Sequence, residues 1–286
     1  MTCTMRFPVF LATCISFLAA WSINGLSAAE SAREILDATG VRGGLIVHIG
    51  CGDGRLTAAL HTGGESLVQG LDADAAQVAK AREHIRGRRL DGKVSADVFD
   101  GKHLPYAENL VNLVVADDLG EVAMDEVMRV LAPHGVACLK SGSEWTISVK
   151  PRAQDIDAWT HFLHDASGNA VSSDRRVAPP RRLQWDGGPR WSRSHETDMS
   201  VTAAVTSGGR IFHIVDEGPI GIHETPQNER RLPDKCSLVA RDAFNGIVLW
   251  KRPLPGWGSA AWDDHRWKWG KGDQLWSSPV SYTHLR

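Results

Sequence analysis

Apolar and polar positions divide the chain into two textures. In the first, strand-length apolar runs are separated by helical stretches. Leu45–Ile49 runs into Gly50-Cys51-Gly52-Asp53-Gly54 and then the helix-forming Arg55–Leu60. Ser66–Leu71 ends on Asp72, Val94–Val98 carries Asp97, and Leu110–Ala116 ends on Asp117-Asp118. An amphipathic stretch, Glu121–Leu131, breaks at Ala132-Pro133-His134-Gly135 and passes into the apolar Val136–Leu139. Near-continuous apolar runs suit strands covered on both faces, so this half predicts an α/β layer built on a mostly parallel sheet.

From Trp145 onward the helical periodicity disappears. Ten of the eleven tryptophans lie there, and glycine and proline punctuate short apolar runs, the texture of β structure. Val201–Thr206 leads through Ser207-Gly208-Gly209 to Arg210–Val215, and Ser237–Asp242 leads through Ala243–Gly246 to Ile247–Trp250. These are two pairs of strands joined by tight turns, and together they predict one four-stranded antiparallel sheet.

The glycine-rich bend is the clearest chemical signal. Residues without side chains let the backbone approach a ligand closely, and N–H groups at a helix start favour a polar or anionic group. Twenty residues after Gly52, Asp72 stands at a strand tip, where a carboxylate can accept hydrogen bonds from two ribose hydroxyls. Net charge is −2, which argues against a nucleic-acid surface driven by bulk charge. Arg86–Arg89 and Pro179–Arg182 read as a solvated helix end and a linker.

Gly50-Cys51-Gly52-Asp53-Gly54, Asp72, Asp97, Leu104-Pro105-Tyr106 and Glu126–Gly135, in that order, resemble a class I S-adenosylmethionine-dependent methyltransferase over roughly residues 35–145. The resemblance implies a Rossmann-like domain over residues 30–150. It implies that Gly50, Cys51, Gly52, Asp53 and Gly54 pass under the methionine part of S-adenosylmethionine. Asp72 with Ala73 would hold the ribose, and Asp97 with Val98 would lie by the adenine. The chain departs from the pattern at three places. His48 stands where an acid is usual, His134 where a glycine is usual, and Val111-Asn112 replaces a Phe-Asp opening. Each change removes a charge or a small residue near the cofactor.

Ala240-Arg241-Asp242, Asn245-Gly246 and Trp250 resemble the repeat of pyrroloquinoline-quinone-type β-propellers, and the stretch from Asp157 to Asp242 resembles secreted propeller proteins of the Planctomycetes type. That resemblance implies a connector over 151–200 and an incomplete all-β propeller segment over 201–279. The aspartate and glycine would shape a turn, and the tryptophan would pack between blades. A ring needs several blades, so the expected partners are further blades of the same chain. Pyrroloquinoline quinone itself is not expected to bind so short a segment. Trp257, Trp262, Trp267, Trp269 and Trp276 read as interblade packing rather than a stacking platform. Residues 280–286 read as a non-native, adapter-derived tail.

Residues 1–29 read as a signal peptide: Arg6, the apolar Phe7–Trp21, then the small residues Ser27-Ala28-Ala29, with a mature chain from Glu30. The expected location is the periplasm or cell envelope, with no transmembrane anchor after cleavage. Cys51, Cys138 and Cys236 then remain, without metal or disulfide spacing. His161, His164 and Asp165 could place two imidazoles on one helical face, but a capping and hydrogen-bonding cluster is the preferred reading over a metal site. His195, Glu196 and Asp198 read as loop residues. No catalytic base or acyl-transfer triad is visible, and the methyl acceptor, small molecule or protein, is open. The alternatives to a methyltransferase are a noncatalytic cell-envelope binding scaffold and a fragment of a quinone-dependent dehydrogenase.

Overall fold

The computed structural model describes residues 28–142, 144–176, 183–188, 201–218 and 235–257. They fall into two compact units, one holding residues 28–131 and 135–150 and the other 132–134 and the described residues from 151 onward. Residues 1–27 of the expected signal peptide 1–29, His195 to Asp198, four of the five late tryptophans, and residues 280–286 lie outside the described residues. Among the described residues no helix is long and apolar enough to cross a membrane.

The first unit is a six-stranded sheet with helices on both faces. Helix α1 covers residues 28–39, so Ala28 and Ala29, read as the end of a leader, open a helix whose Ala32, Ile35 and Leu36 enter the core. The strands are β1 (Gly44–Ile49), β2 (Ser66–Asp72), β3 (Val94–Val98), β4 (Val111–Ala116), β5 (Leu131–Ser141) and β6 (Glu144–Val149). Their spatial order is β3-β2-β1-β4-β5-β6. All neighbours are parallel except β5 and β6, which form an antiparallel hairpin. The chain builds outward from β1 to β3 and returns on the other side at β4. The order therefore reverses between β1 and β4, where an open α/β sheet forms a crevice beyond its strand tips.

Between the strands lie α2 (Arg55–Ala59), α3 (Ala75–Gly87) and α4 (Met124–Val130). Helix α3 starts where Asp74 accepts from the Ala76 N–H at 2.8 Å, an N-cap worth about 1 kcal/mol. It buries Val78, Ala81 and Ile85, spaced as one helical stripe, against Ile46, Val68 and Val94 on one sheet face. Helix α4 buries Val127 and Val130 against Val47, Leu71 and Val114 on the other. It begins three residues later than the amphipathic pattern from Glu121 predicts, because a turn in which Val122 N–H donates to the Leu119 carbonyl precedes it. Lys150 Nζ closes its far end on the carbonyl of Leu131 at 2.7 Å.

The second unit contains the four-stranded antiparallel sheet read from the sequence: β7 (Val201–Ser207), β8 (Arg210–Asp216), β9 (Cys236–Asp242) and β10 (Val248–Pro253), in the order β10-β9-β8-β7. The β7–β8 loop is Gly208-Gly209 with φ of 55° and 74°, a backbone that only a pair such as this adopts without strain. The Asp242 carboxylate accepts from the Phe244 and Asn245 N–H groups, and Gly246 (φ 73°) lies so close to Trp185 that a Cβ there would sit 2.3 Å from the ring. Trp250 packs on Phe212, ring centres 5.9 Å apart.

Candidate functional site

The bend after β1 and the tip of β2 meet. Gly52 donates its N–H to Asp72 Oδ2 at 3.0 Å, and Asp74 N–H donates to Asp72 Oδ1 at 3.0 Å. A carboxylate has about four acceptor positions, so two remain after these bonds. Gly50 and Gly52 have φ of 72° and 52°, and a Cβ on either would meet nothing within 4 Å. A partly exposed carboxylate thus lies against a bare-backbone bend with open space at Gly50 and Gly52. Val98 lies opposite Asp72 in the β2–β3 register, on the same face, and is 50% exposed. Together with exposed Ala73 it gives the notch an apolar flank.

The bend is not the anion cradle that the sequence suggested. Gly50 and Cys51 donate to the Leu71 carbonyl, Gly52 to Asp72, Gly54 to the Cys51 carbonyl, and Arg55 to Asp53 Oδ1. These N–H groups are spent within the chain, and α2 is barely more than one turn long. The notch therefore offers carboxylate acceptors and open space rather than a ring of donors, which suits a hydroxyl-bearing, phosphate-free ligand.

Other expected site residues face elsewhere. Gly54 (φ 79°) packs against α3, where a Cβ would come within 2.7 Å of the Ala81 backbone. Asp53 turns to Arg55, its Oδ2 3.1 Å from Nε. Cys51 is buried beneath Gly70, and desolvation pushes its thiol up to about 12, so it is an inert packing group. Asp97 is engaged on both oxygens, by Arg82 Nη2 at 2.6 Å and Gln69 Nε2 at 2.7 Å. The acid lying just beyond the β3 tip is Asp100, whose carboxylate is held low mainly by the His103 N–H, with His103 Nδ1 at 2.8 Å.

His48, beside the bend, is 4% exposed and bonds Thr57 Oγ1 through Nδ1 at 2.8 Å. Burial lowers its pKa to about 4, against the opposing pull of Asp117 and Asp72, so the ring is neutral at pH 7. The acid of the family pattern is thus replaced by an uncharged group. Asn112 has a structural reason: its Oδ1 accepts from Leu45 N–H at 2.8 Å and fills the space left by Gly44. His134 takes φ 65°, the conformation for which glycine is suited.

The connector does not form the helix that would align His161 and His164. The two residues are bridged as an extended pair, with His164 at φ 72°. His164 Nε2 pairs with Asp157 Oδ2 at 2.7 Å, and its ring lies 5.3 Å from that of Trp159. Asp165 accepts from Ser167 N–H and Oγ. Among the described residues no group of three or more His, Cys, Asp or Glu side chains could hold a metal ion.

Residues 46–135 match the family model described as a methyltransferase domain. With the sheet order above, they form a Rossmann-like domain that is similar to those of the class I S-adenosylmethionine-dependent methyltransferases. Methyltransferase GfsG of Streptomyces halstedii is 32% identical over 113 residues, which are 37% of this chain and 40% of the relative. The chain thus spans about 40% of the length of the curated relative it matches. Among solved structures, geranyl diphosphate C-methyltransferase of Streptomyces coelicolor A3(2), crystallised with Mg2+, geranyl diphosphate and S-adenosyl-L-homocysteine, is 24% identical. Its TM-score is 0.36, covering 38% of this chain and 44% of that one. The YcgJ protein of Bacillus subtilis is 20% identical, with a TM-score of 0.34, covering 38% and 49%.

Proposed function

We propose that the first unit binds S-adenosylmethionine in the notch between the glycine bend and Asp72 and transfers its methyl group to a nucleophilic acceptor. The observation that carries this reading is the Asp72 carboxylate, fixed by Gly52 and Asp74 beside the open bend, with two acceptor positions left. Those positions suit the paired hydroxyls of a ribose. Val98 and Ala73 offer the neighbouring purine an apolar surface, and Gly50 and Gly52 let the rest of the donor lie against backbone.

When bound, the donor supplies a methyl group activated on a sulfonium. The chain's part is to hold donor and acceptor in line, a task that orientation alone can perform without a protein base. Neutral His48 adds no charge beside the bend, so recognition of the donor falls on Asp72. Thermal unfolding of the full chain tests the reading. Millimolar S-adenosylmethionine and S-adenosylhomocysteine should each raise the transition of the first unit by several degrees. Adenine alone, lacking the ribose, should not.

We further infer that the four-stranded sheet of the second unit is one blade of a β-propeller of the quinoprotein type, completed by further blades, and that the protein works in the cell envelope. Support for the blade comes from Asp242 and Gly246 shaping the β9–β10 turn and from Trp250 at the sheet surface. Recovery of a mature N-terminus at Glu30 from envelope fractions tests the location.

A further inference from the structure

We propose that Gln69 is a positioning residue for the adenosine side of the donor notch, acting through Tyr106; the inference rests on the donor-binding reading above. Gln69 lies on β2, three residues before Asp72 and on the opposite face of the strand. Its Nε2 donates to Asp97 Oδ2 at 2.7 Å, and its Oε1 accepts from the Tyr106 hydroxyl at 2.7 Å. The orientation of the amide follows from chemistry: an ionised carboxylate can only accept, so the NH2 group faces Asp97 and the oxygen faces Tyr106. Asp97 is fixed in turn by Arg82, which also donates from Nε to the Ala96 carbonyl at 2.8 Å. Four side chains from α3, β3, β2 and the β3–β4 loop thus form one continuous line.

That loop borders the notch. At its start, Phe99 N–H donates to the Asp72 carbonyl at 3.2 Å, and a Cβ on Gly101 would lie 3.7 Å from Ala73 Cβ. Asp100 caps the turn, accepting from Lys102 and His103 N–H. At its end, Arg129 donates to the carbonyls of Tyr106 at 2.9 Å and Leu104 at 3.2 Å, while Glu126 Oε1 accepts from Leu104 N–H at 2.8 Å. The segment over Ala73 therefore runs between two fixed ends. The far end is held to α4 by Arg129 and Glu126 and to β2 by the Tyr106 hydroxyl. The Tyr106 ring packs in the α4-side core, and the bond from its hydroxyl to Gln69 adds a direct tie from this end of the loop to β2, the strand that carries Asp72.

Calorimetric titration of the full chain with S-adenosylmethionine tests this in Tyr106→Phe, Gln69→Ala and the double variant. Tyr106→Phe should weaken donor binding about fivefold to tenfold while lowering the thermal midpoint of the unliganded first unit by no more than the few degrees that one lost hydrogen bond accounts for. The double variant should bind no more weakly than Gln69→Ala alone, because both changes open one line of bonds. If Gln69→Ala does not fold, Tyr106→Phe decides alone, since it keeps the ring. Wild-type binding with unchanged affinity in Tyr106→Phe overturns the positioning role and leaves the donor reading standing. No binding by the folded wild-type chain overturns both.

Discussion

Gly52 and Asp72, 20 residues apart in sequence, are joined by a hydrogen bond of 3.0 Å from the bend after β1 to the tip of β2. The bond does two things at once. It holds the bend in its left-handed backbone, and it fixes a carboxylate against the bend that carries the two unobstructed glycines. Adjacent parallel strands make this possible, because Gly50 and Cys51 both donate to the carbonyl of Leu71, the residue before the acid.

Gly52 and Gly54 should respond differently to a methyl group. Gly54→Ala places a Cβ 2.7 Å from the Ala81 backbone at φ 79°, so strain and overpacking together should cost about 2–4 kcal/mol. Gly52→Ala meets no atom within 4 Å and should cost only about 1 kcal/mol of backbone strain, while obstructing the donor. Urea unfolding and donor titration of the two variants should therefore rank them in opposite orders.

His48 gives the domain a defined acid sensitivity. Its folded pKa of about 4 lies below the unfolded value near 6.5, so the unfolded chain takes up the proton first. The stability that His48 supports is full above pH 6.5 and falls as the pH drops toward 4, by up to about 3 kcal/mol. His48→Gln, which keeps a partner for Thr57, should flatten the part of the profile between pH 4 and 6.5 when unfolding is followed by urea titration.

His134→Gly should stabilise the turn before Gly135. A histidine at φ 65° bears the left-handed penalty of a residue with a Cβ, and relieving it should gain about 0.5–1 kcal/mol after glycine's greater unfolded entropy is subtracted. A lowered urea midpoint in this variant would show that the imidazole makes a compensating contact.

Removing metal should leave the connector intact. His164 Nε2 is taken up by Asp157 and its ring packs on Trp159, so exhaustive chelation should not change the thermal transition. His164→Ala should lower it by breaking a nearly buried hydrogen bond.

Much of this architecture was legible in the sequence, for physical reasons. β1 and β4 are apolar almost throughout because helices cover both faces, and the four strands of the second unit announced themselves through alternation and glycine turns. β6 was not foreseen. Glu144–Val149 alternates strictly, with Trp145, Ile147 and Val149 between Glu144, Thr146 and Ser148, but at the junction of the two textures nothing in that pattern showed that it would pair back on β5 after Gly142. In the site, the glycine bend and Asp72 could be read because a strand–turn–helix fixes their spacing. Asp97 could not, since whether a carboxylate faces a ligand or Arg82 depends on a helix 15 residues earlier. Gln69 left one trace, a polar residue within an apolar run, whose meaning appears only once Tyr106 is brought over it. The paired histidines failed as a helical motif because His164 adopts a left-handed backbone to reach Asp157.

The central claim is that Asp72 and the bare bend clasp an adenosine. Isothermal titration of the full chain with S-adenosylmethionine, wild type beside Asp72→Ala, tests it most directly. Loss of two hydrogen bonds to a charged acceptor should weaken binding by about 100-fold or more, with the fold retained by circular dichroism. Equal affinity in the two proteins, or no heat from folded wild type at millimolar donor, would contradict it.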